Sequence, residues 1–152
     1  MFDKIMKVWY NRKKRKVIEL GMDANLYLSK TPYCKADTLG FVTQEWYLNA
    51  NEIGYWRKNY YLGKLVRQVL DEKENTDEYS FRLTQEDCAL IARTALNDFI
   101  NGTYDYYYNE NDNHQVDFIG PFAEAARGNF GYYFNDDGEY KGNVYITYIE
   151  DR

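Results

Sequence analysis

Histidine is almost missing from this 152-residue chain, cysteine and proline are scarce, and no long apolar run occurs. One histidine, His114, and two distant cysteines, Cys34 and Cys88, cannot supply the closely spaced nitrogen and sulfur ligands that zinc takes. An oxygen-only site between Asn109 and Asp117 would lack the glycine and closing glutamate of a calcium loop. No metal and no cofactor is therefore expected. Two cysteines also make a poor disulfide framework for a chain of this size, so free thiols in a reducing compartment are expected. Nothing approaches the roughly 18 consecutive apolar residues of a membrane span. Lys4, Lys7 and the run Arg12-Lys13-Lys14-Arg15-Lys16 interrupt any signal-peptide core. The expectation is a cytoplasmic protein without a membrane partner.

Catalytic constellations are thin as well. Cys88 falls on the apolar face of an expected helix, where a buried, inert thiol is usual. Cys34 lies in a turn-rich stretch with nothing nearby to lower its pKa. Asp136 and Asp137 are capable of acid–base chemistry, but they stand at an expected turn, where acids serve the backbone. Gly128-Asn129-Phe130-Gly131 is too short for a phosphate-cradling loop and lacks its lysine. No residue is assigned a catalytic role, and binding is the expected activity.

What the chain does have is tyrosine and a divided charge. Seventeen tyrosines outnumber eight phenylalanines and three tryptophans. Residues 1–76 hold 14 Lys+Arg against 9 Asp+Glu, whereas residues 77–152 hold 5 against 15. Most of the positive excess is one arm, net +6 over residues 1–16, so the remainder is an acidic, aromatic domain. Such a split bears on partners and solubility rather than on fold. With 45% hydrophobic and 28% charged residues the chain is globular, and its length suits one domain. The division expected is a basic arm over 1–16 and a single α+β domain over 17–152.

Periodicity sketches that domain as a mostly antiparallel sheet with two main helices packed on it. Strands are expected around Val17–Asp23 and Leu26–Leu28, and from Phe41 to Leu48, where Val42, Trp46 and Leu48 would share a face. The main helix is expected from Glu52 to Lys73. At about 100° per residue, Ile53, Trp56, Tyr60, Leu62, Val66, Val69 and Leu70 sweep a wide apolar arc, leaving Arg57, Lys64 and Gln68 outside it. Tyr79, Phe81 and Leu83 alternate as a strand. Thr84-Gln85-Glu86-Asp87 reads as a capping box for a second helix, with Cys88, Ile91, Ala92, Ala95, Leu96 and Phe99 inward and Gly102 as its terminal cap. Gly120-Pro121 should break the chain before a short helix from Phe122 to Arg127. A strand from Gly131 to Phe134, a hairpin at Asp137-Gly138 and a last strand from Val144 to Ile149 complete the sketch.

Gly21-Met22-Asp23, with Leu26-Tyr27-Leu28 and Lys30, resembles the opening of a family of small, uncharacterised phage and prophage proteins. Glu52 to Asn59, reading Glu-Ile-Gly-Tyr-Trp-Arg-Lys-Asn, is similar to that family's Tyr-Trp-Arg-Lys segment. The resemblance spans about residues 20–85 and implies a phage-like origin, a mixed fold and no established activity. Residues 1–20 and the tyrosine-rich tail have no counterpart in it.

Three surfaces are candidates for contact. In Tyr104-Asp105-Tyr106-Tyr107-Tyr108, followed by Glu110 and Asp112, consecutive tyrosines cannot all be buried in a strand, because side chains alternate between faces. Exposed rings among carboxylates suit a protein partner with a basic surface. The leading expectation is thus an accessory protein inhibiting a host defence or nucleic-acid-processing protein. Tyr55, Arg57 and Lys64 would instead line a pocket for a nucleotide-like signal, phosphate on the cations and base on the ring. Arg12, Lys13, Lys14, Arg15 and Lys16, beside Trp9 and Tyr10, would contact nucleic acid or the acidic half of a second copy.

Overall fold

The structure, a computed structural model, describes residues 22–33, 41–71, 79–103, 117–128, 130, 134 and 142–151. They form an α+β domain whose elements run β1 (Asp23–Ser29), α1 (Phe41–Asn49), β2 (Asn51–Arg57), α2 (Tyr60–Val69), β3 (Ser80–Leu83), α3 (Gln85–Asn101), α4 (Ile119–Arg127) and β4 (Tyr145–Asp151). The strands make a four-stranded sheet ordered β2-β1-β4-β3, antiparallel throughout.

Strand alternation divides this sheet into two unlike faces. Ala24, Leu26 and Leu28 of β1 stand opposite Glu150, Tyr148 and Ile146 of β4, which in turn adjoin Phe81 and Leu83 of β3. The apolar members of this set and Trp56 join Leu62, Leu65, Val66, Ile91, Ala95, Phe118 and Phe122 in one buried core, with Glu150 buried beside it. The indole of Trp56 stacks on Phe122 at 5.8 Å and meets Phe118 edge-on at 6.4 Å. A Cβ at Gly54 would run into the Trp56 ring, so glycine lets the indole lie back over its own strand.

The segment 52–73 corrects the expected single helix. Asn51–Arg57 is a strand, Lys58 adopts a left-handed φ of 58°, and among the described residues of the segment the helix is Tyr60–Val69. Asn59 opens α2 by accepting a hydrogen bond from the Leu62 amide at 3.1 Å. Ile53 and Trp56 fit a helical arc by coincidence, since positions three apart are also compatible with a bulged strand; β1 and β2 do shift register between Leu26 and Tyr27. The expected strand Phe41–Leu48 is helix α1 instead. Within it Trp46 is buried while Leu48 is 85% exposed, so the face they were expected to share does not exist.

Other expectations hold. Strands fall at β1, which takes in the expected Leu26–Leu28, and at β3 and β4, while residues 17–21 of the strand expected around Val17–Asp23 lie outside the described residues. Helix α3 opens on the reciprocal Thr84–Asp87 capping box. It closes on Gly102 at φ 73°, where a side chain would be strained. Two inward assignments on α3 need correction: Leu96 and Phe99 are 45% and 53% exposed. Leu96 lies off the arc of Cys88, Ile91, Ala92 and Ala95, and Phe99 sits in the last turn, where the buried face has ended. Gly120-Pro121 does not break the chain before a helix but lies inside the first turn of α4. Proline fits there because its missing N–H would have no helical partner. Of the strand expected at Gly131–Phe134, only Phe134 is described, and its backbone is helical; the Asp137-Gly138 hairpin lies outside the described residues.

Candidate functional site

The face of the sheet turned away from the core carries rings, amides and charges. Across it, register aligns Arg57, Asp23 and Asp151; then Tyr55, Asn25, Ile149 and Ser80; then Glu52, Tyr27, Thr147 and Arg82. Asn25 donates from Nδ2 to Glu52 Oε1 at 2.8 Å, and the Arg82 guanidinium lies 5.2 Å from the Tyr145 ring centre. Helix α1 leans on this face at one end. Tyr27 meets Trp46 and Tyr47 edge-on at 5.3 and 5.6 Å, and Tyr33 meets the same two at 4.9 and 6.0 Å. Trp46 is fixed further by donating from its indole N–H to the Thr31 carbonyl at 2.9 Å.

Two clefts flank that aromatic cluster. One, of about 550 Å³, is lined by Asn25, Tyr27, Tyr33, Tyr47, Tyr79, Ser80, Ile149, Glu150 and Asp151. The other, of about 590 Å³, is lined by Ser29, Lys30, Thr31, Pro32, Glu45, Trp46, Asn49, Asn51 and Phe134. In the first, burial and the nearby Glu52 charge, with Tyr33, hold the Tyr27 phenol above its ordinary pKa. Burial raises Tyr47 further, helped by a hydrogen bond with Tyr33 and the charge of Asp151. Both phenols are therefore neutral at physiological pH.

Behind the sheet lies a buried ion pair that the sequence reading missed. Arg67 of α2 grips Glu150 of β4 with both terminal nitrogens at 2.8 Å, and Nη1 also donates to the Gly63 carbonyl at 3.1 Å. The Tyr148 hydroxyl donates to the same carboxylate at 2.7 Å, and the guanidinium lies 5.1 Å from the Phe81 ring centre. A Cβ at Gly63 would stand 2.6 Å from Glu150 Oε2, so glycine is what lets helix and strand approach closely enough. Burial alone would lower the Arg67 pKa, but the Glu150 hydrogen bonds and charge outweigh it and hold it above its ordinary value. A signal was present: Glu150 shares strand parity with Ile146 and Tyr148, so a buried carboxylate in need of a cation was implied.

The expected site residues are scattered by this fold. Tyr55 is 51% exposed on the open face. Arg57, on the same face, ends β2 whereas Lys64 belongs to α2, so they do not share one polar helix face; the expectation that they did rested on the single helix now corrected. Tyr104, Asp105, Tyr106, Tyr107, Tyr108, Glu110 and Asp112 lie outside the described residues, as do Arg12, Lys13, Lys14, Arg15 and Lys16. Cys34, His114, Asp136 and Asp137 do too. Cys88 is fully buried, and burial with the Asp87 charge pushes its thiol up to about 12, which leaves it protonated. Among the described residues no three His, Cys, Asp or Glu side chains gather as a metal ion would require, and no helix is long and apolar enough to cross a membrane. Searches of this chain against protein-family models, curated proteins and solved structures give no match.

Proposed function

We propose that this chain is a small phage-like accessory protein that acts by binding in the host cytoplasm. It occupies a basic site on a host defence or nucleic-acid-processing protein with an acidic, tyrosine-rich surface, and thereby inhibits it. The observation that supports this reading most is the open sheet face, where exposed Tyr47 and Tyr55 accompany exposed Glu52 and Asp151. Tyrosine supplies contact area at small entropic cost, and carboxylates steer a basic partner. The acidic tyrosine run at 104–112 extends the same chemistry in sequence.

The test is a pull-down from host lysate with the captured protein identified by mass spectrometry. Reversing Asp105, Glu110 and Asp112 to lysine, or Glu52 and Asp151 to lysine, should abolish capture of a basic protein. Full-strength capture by both variants would end the proposal.

A second reading has one observation in its favour. The cleft beside Trp46 brings Lys30, Asn49 and Asn51 together with an indole, a suitable set for the phosphate and base of a nucleotide-like signal. A nucleotide released by heating the purified protein would favour this reading, and a clean supernatant would count against it. Nucleic-acid binding through residues 12–16 is a third proposal, which a salt-dependent gel shift would test.

A further inference from the structure

The cleft bounded by Tyr27, Tyr33 and Tyr47 has the walls and the charge of a cation receptor. Tyr47 packs edge-on with Tyr27 and Tyr33, at 72° and 70° with centroids 5.6 and 6.0 Å apart, and all three rings line one cleft together with Asp151. Aromatic faces are negative and attract a cation set against them. The rim adds formal charge. Asp23 stands directly across from Asp151, and like charges in that position repel. Arg57 stands across from Asp23 on its other side, one cation in a row with two carboxylates among the described residues. Glu52 and Asp151 also place negative charge near Tyr27 and Tyr47 respectively, a field that favours an incoming positive group.

We propose that this tyrosine cleft receives the guanidinium of an arginine side chain presented by a basic protein partner. The proposal rests on the binding function inferred above and names the group that function recognises. A guanidinium suits the space better than an ammonium, because it is planar and weakly hydrated. It stacks on a ring while its edge donates to a carboxylate such as Asp151. A bare divalent metal suits it less, since hard cations collect six or more oxygen ligands and the described residues gather no such set.

The experiment uses the full chain, isotopically labelled, titrated by NMR with a capped glycine–serine peptide carrying one arginine. Matched peptides carry lysine or glutamate instead. The arginine peptide should shift the ring resonances of Tyr27 and Tyr47 saturably, and the lysine peptide should bind about threefold more weakly. Tyr47→Leu should weaken the arginine peptide by about tenfold, whereas Tyr47→Phe, which keeps the ring, should stay within about twofold of the parent. Asp151→Asn should cost about fivefold. No saturable shift at millimolar arginine peptide would overturn the assignment, and so would equal lysine affinity. Indifference to both Asp151→Asn and Tyr47→Leu would do the same. If the cleft binds arginine but no basic protein is ever captured, the broader function fails and the cleft assignment survives. If a basic partner is captured without any arginine response in the cleft, only the assignment falls.

Discussion

The two faces of the sheet solve opposite problems with the same residue types. On the inner face Glu150, Tyr148 and Trp56 are buried, and each is matched: the carboxylate by Arg67, the phenol by Glu150, the indole by Phe122. On the outer face Glu52, Tyr55 and Asp151 are exposed. Buried charge must be satisfied from within, because removing it from water costs several kcal/mol per ion. Exposed charge faces no such requirement and is available to a partner. The contrast teaches that a tyrosine or carboxylate in this chain has no fixed meaning until its strand parity is known.

The comparison breaks most readily at Trp56. Truncation to alanine should lower stability by about 4 kcal/mol, read from urea unfolding, because a buried aromatic leaves a large cavity. That is a major part of the roughly 5–15 kcal/mol that holds a domain together. A loss under 1 kcal/mol, on the order of a surface substitution, would mean that the inner face is not the core. Next comes Glu150→Ala, expected to cost about 3 kcal/mol by stranding the Arg67 guanidinium in an apolar surrounding. The double change Arg67→Met with Glu150→Leu should recover most of that loss, since apolar replacements remove the desolvation penalty with the charges. A double variant as unstable as the single one would show that the pair contributes by more than mutual compensation.

A pH scan sharpens the same contrast with a smaller effect. The Cys88 thiol is raised by burial from its ordinary value of 9.0 to about 12. Its contribution is fully present below pH 9 and is lost as pH rises toward the folded value, because only the unfolded chain ionises in that window. The slope is about 1.4 kcal/mol per pH unit. The stability advantage of the parent over Cys88→Ala should therefore shrink between pH 9 and pH 12. A gap that stays constant across the window would place the thiol in contact with water. Tyr47 carries a shift of the same sign on the outer side, but its partial exposure mutes any such effect.

How much of this was legible in the sequence depends on whether a local signal had a competitor. Thr84 to Asp87 and Gly102 fix both ends of α3 by side-chain and backbone chemistry confined to a few residues, and both were readable. Ser80–Leu83 alternates cleanly and was readable for the same reason, whereas Tyr145–Asp151 buries five residues in a row and was readable as a run of aromatic and β-branched residues. The segment 41–57 was not. Its strand β2 carries apolar residues at positions that also fit a helix, and the break at Lys58 needs a left-handed backbone that lysine does not advertise. Helix α1 buries Trp46 but leaves Tyr47 and Leu48 exposed, so it has little amphipathic pattern to detect. The tyrosine cleft was illegible for a different reason. Tyr27, Tyr47 and Asp151 are far apart in sequence, and only the β1–β4 pairing together with α1 brings them to one place.

The smallest expected effect is the most telling about the outer face. Tyr55 is an aromatic residue in a strand, opposite Asn25 and beside exposed Arg57, and composition alone would assign it to packing. Its exposure argues otherwise, because a ring half in water contributes little burial to folding. Tyr55→Thr exchanges the ring for a β-branched residue that also favours strands, so stability should change by no more than about 0.5 kcal/mol. Capture of a basic partner should nevertheless fall, since the substitution removes contact area and leaves the carboxylates in place. Thermal unfolding and pull-down on the same preparation separate the two quantities. A variant that unfolds early but captures normally would assign Tyr55 to the fold, and with it the outer face to structure rather than recognition.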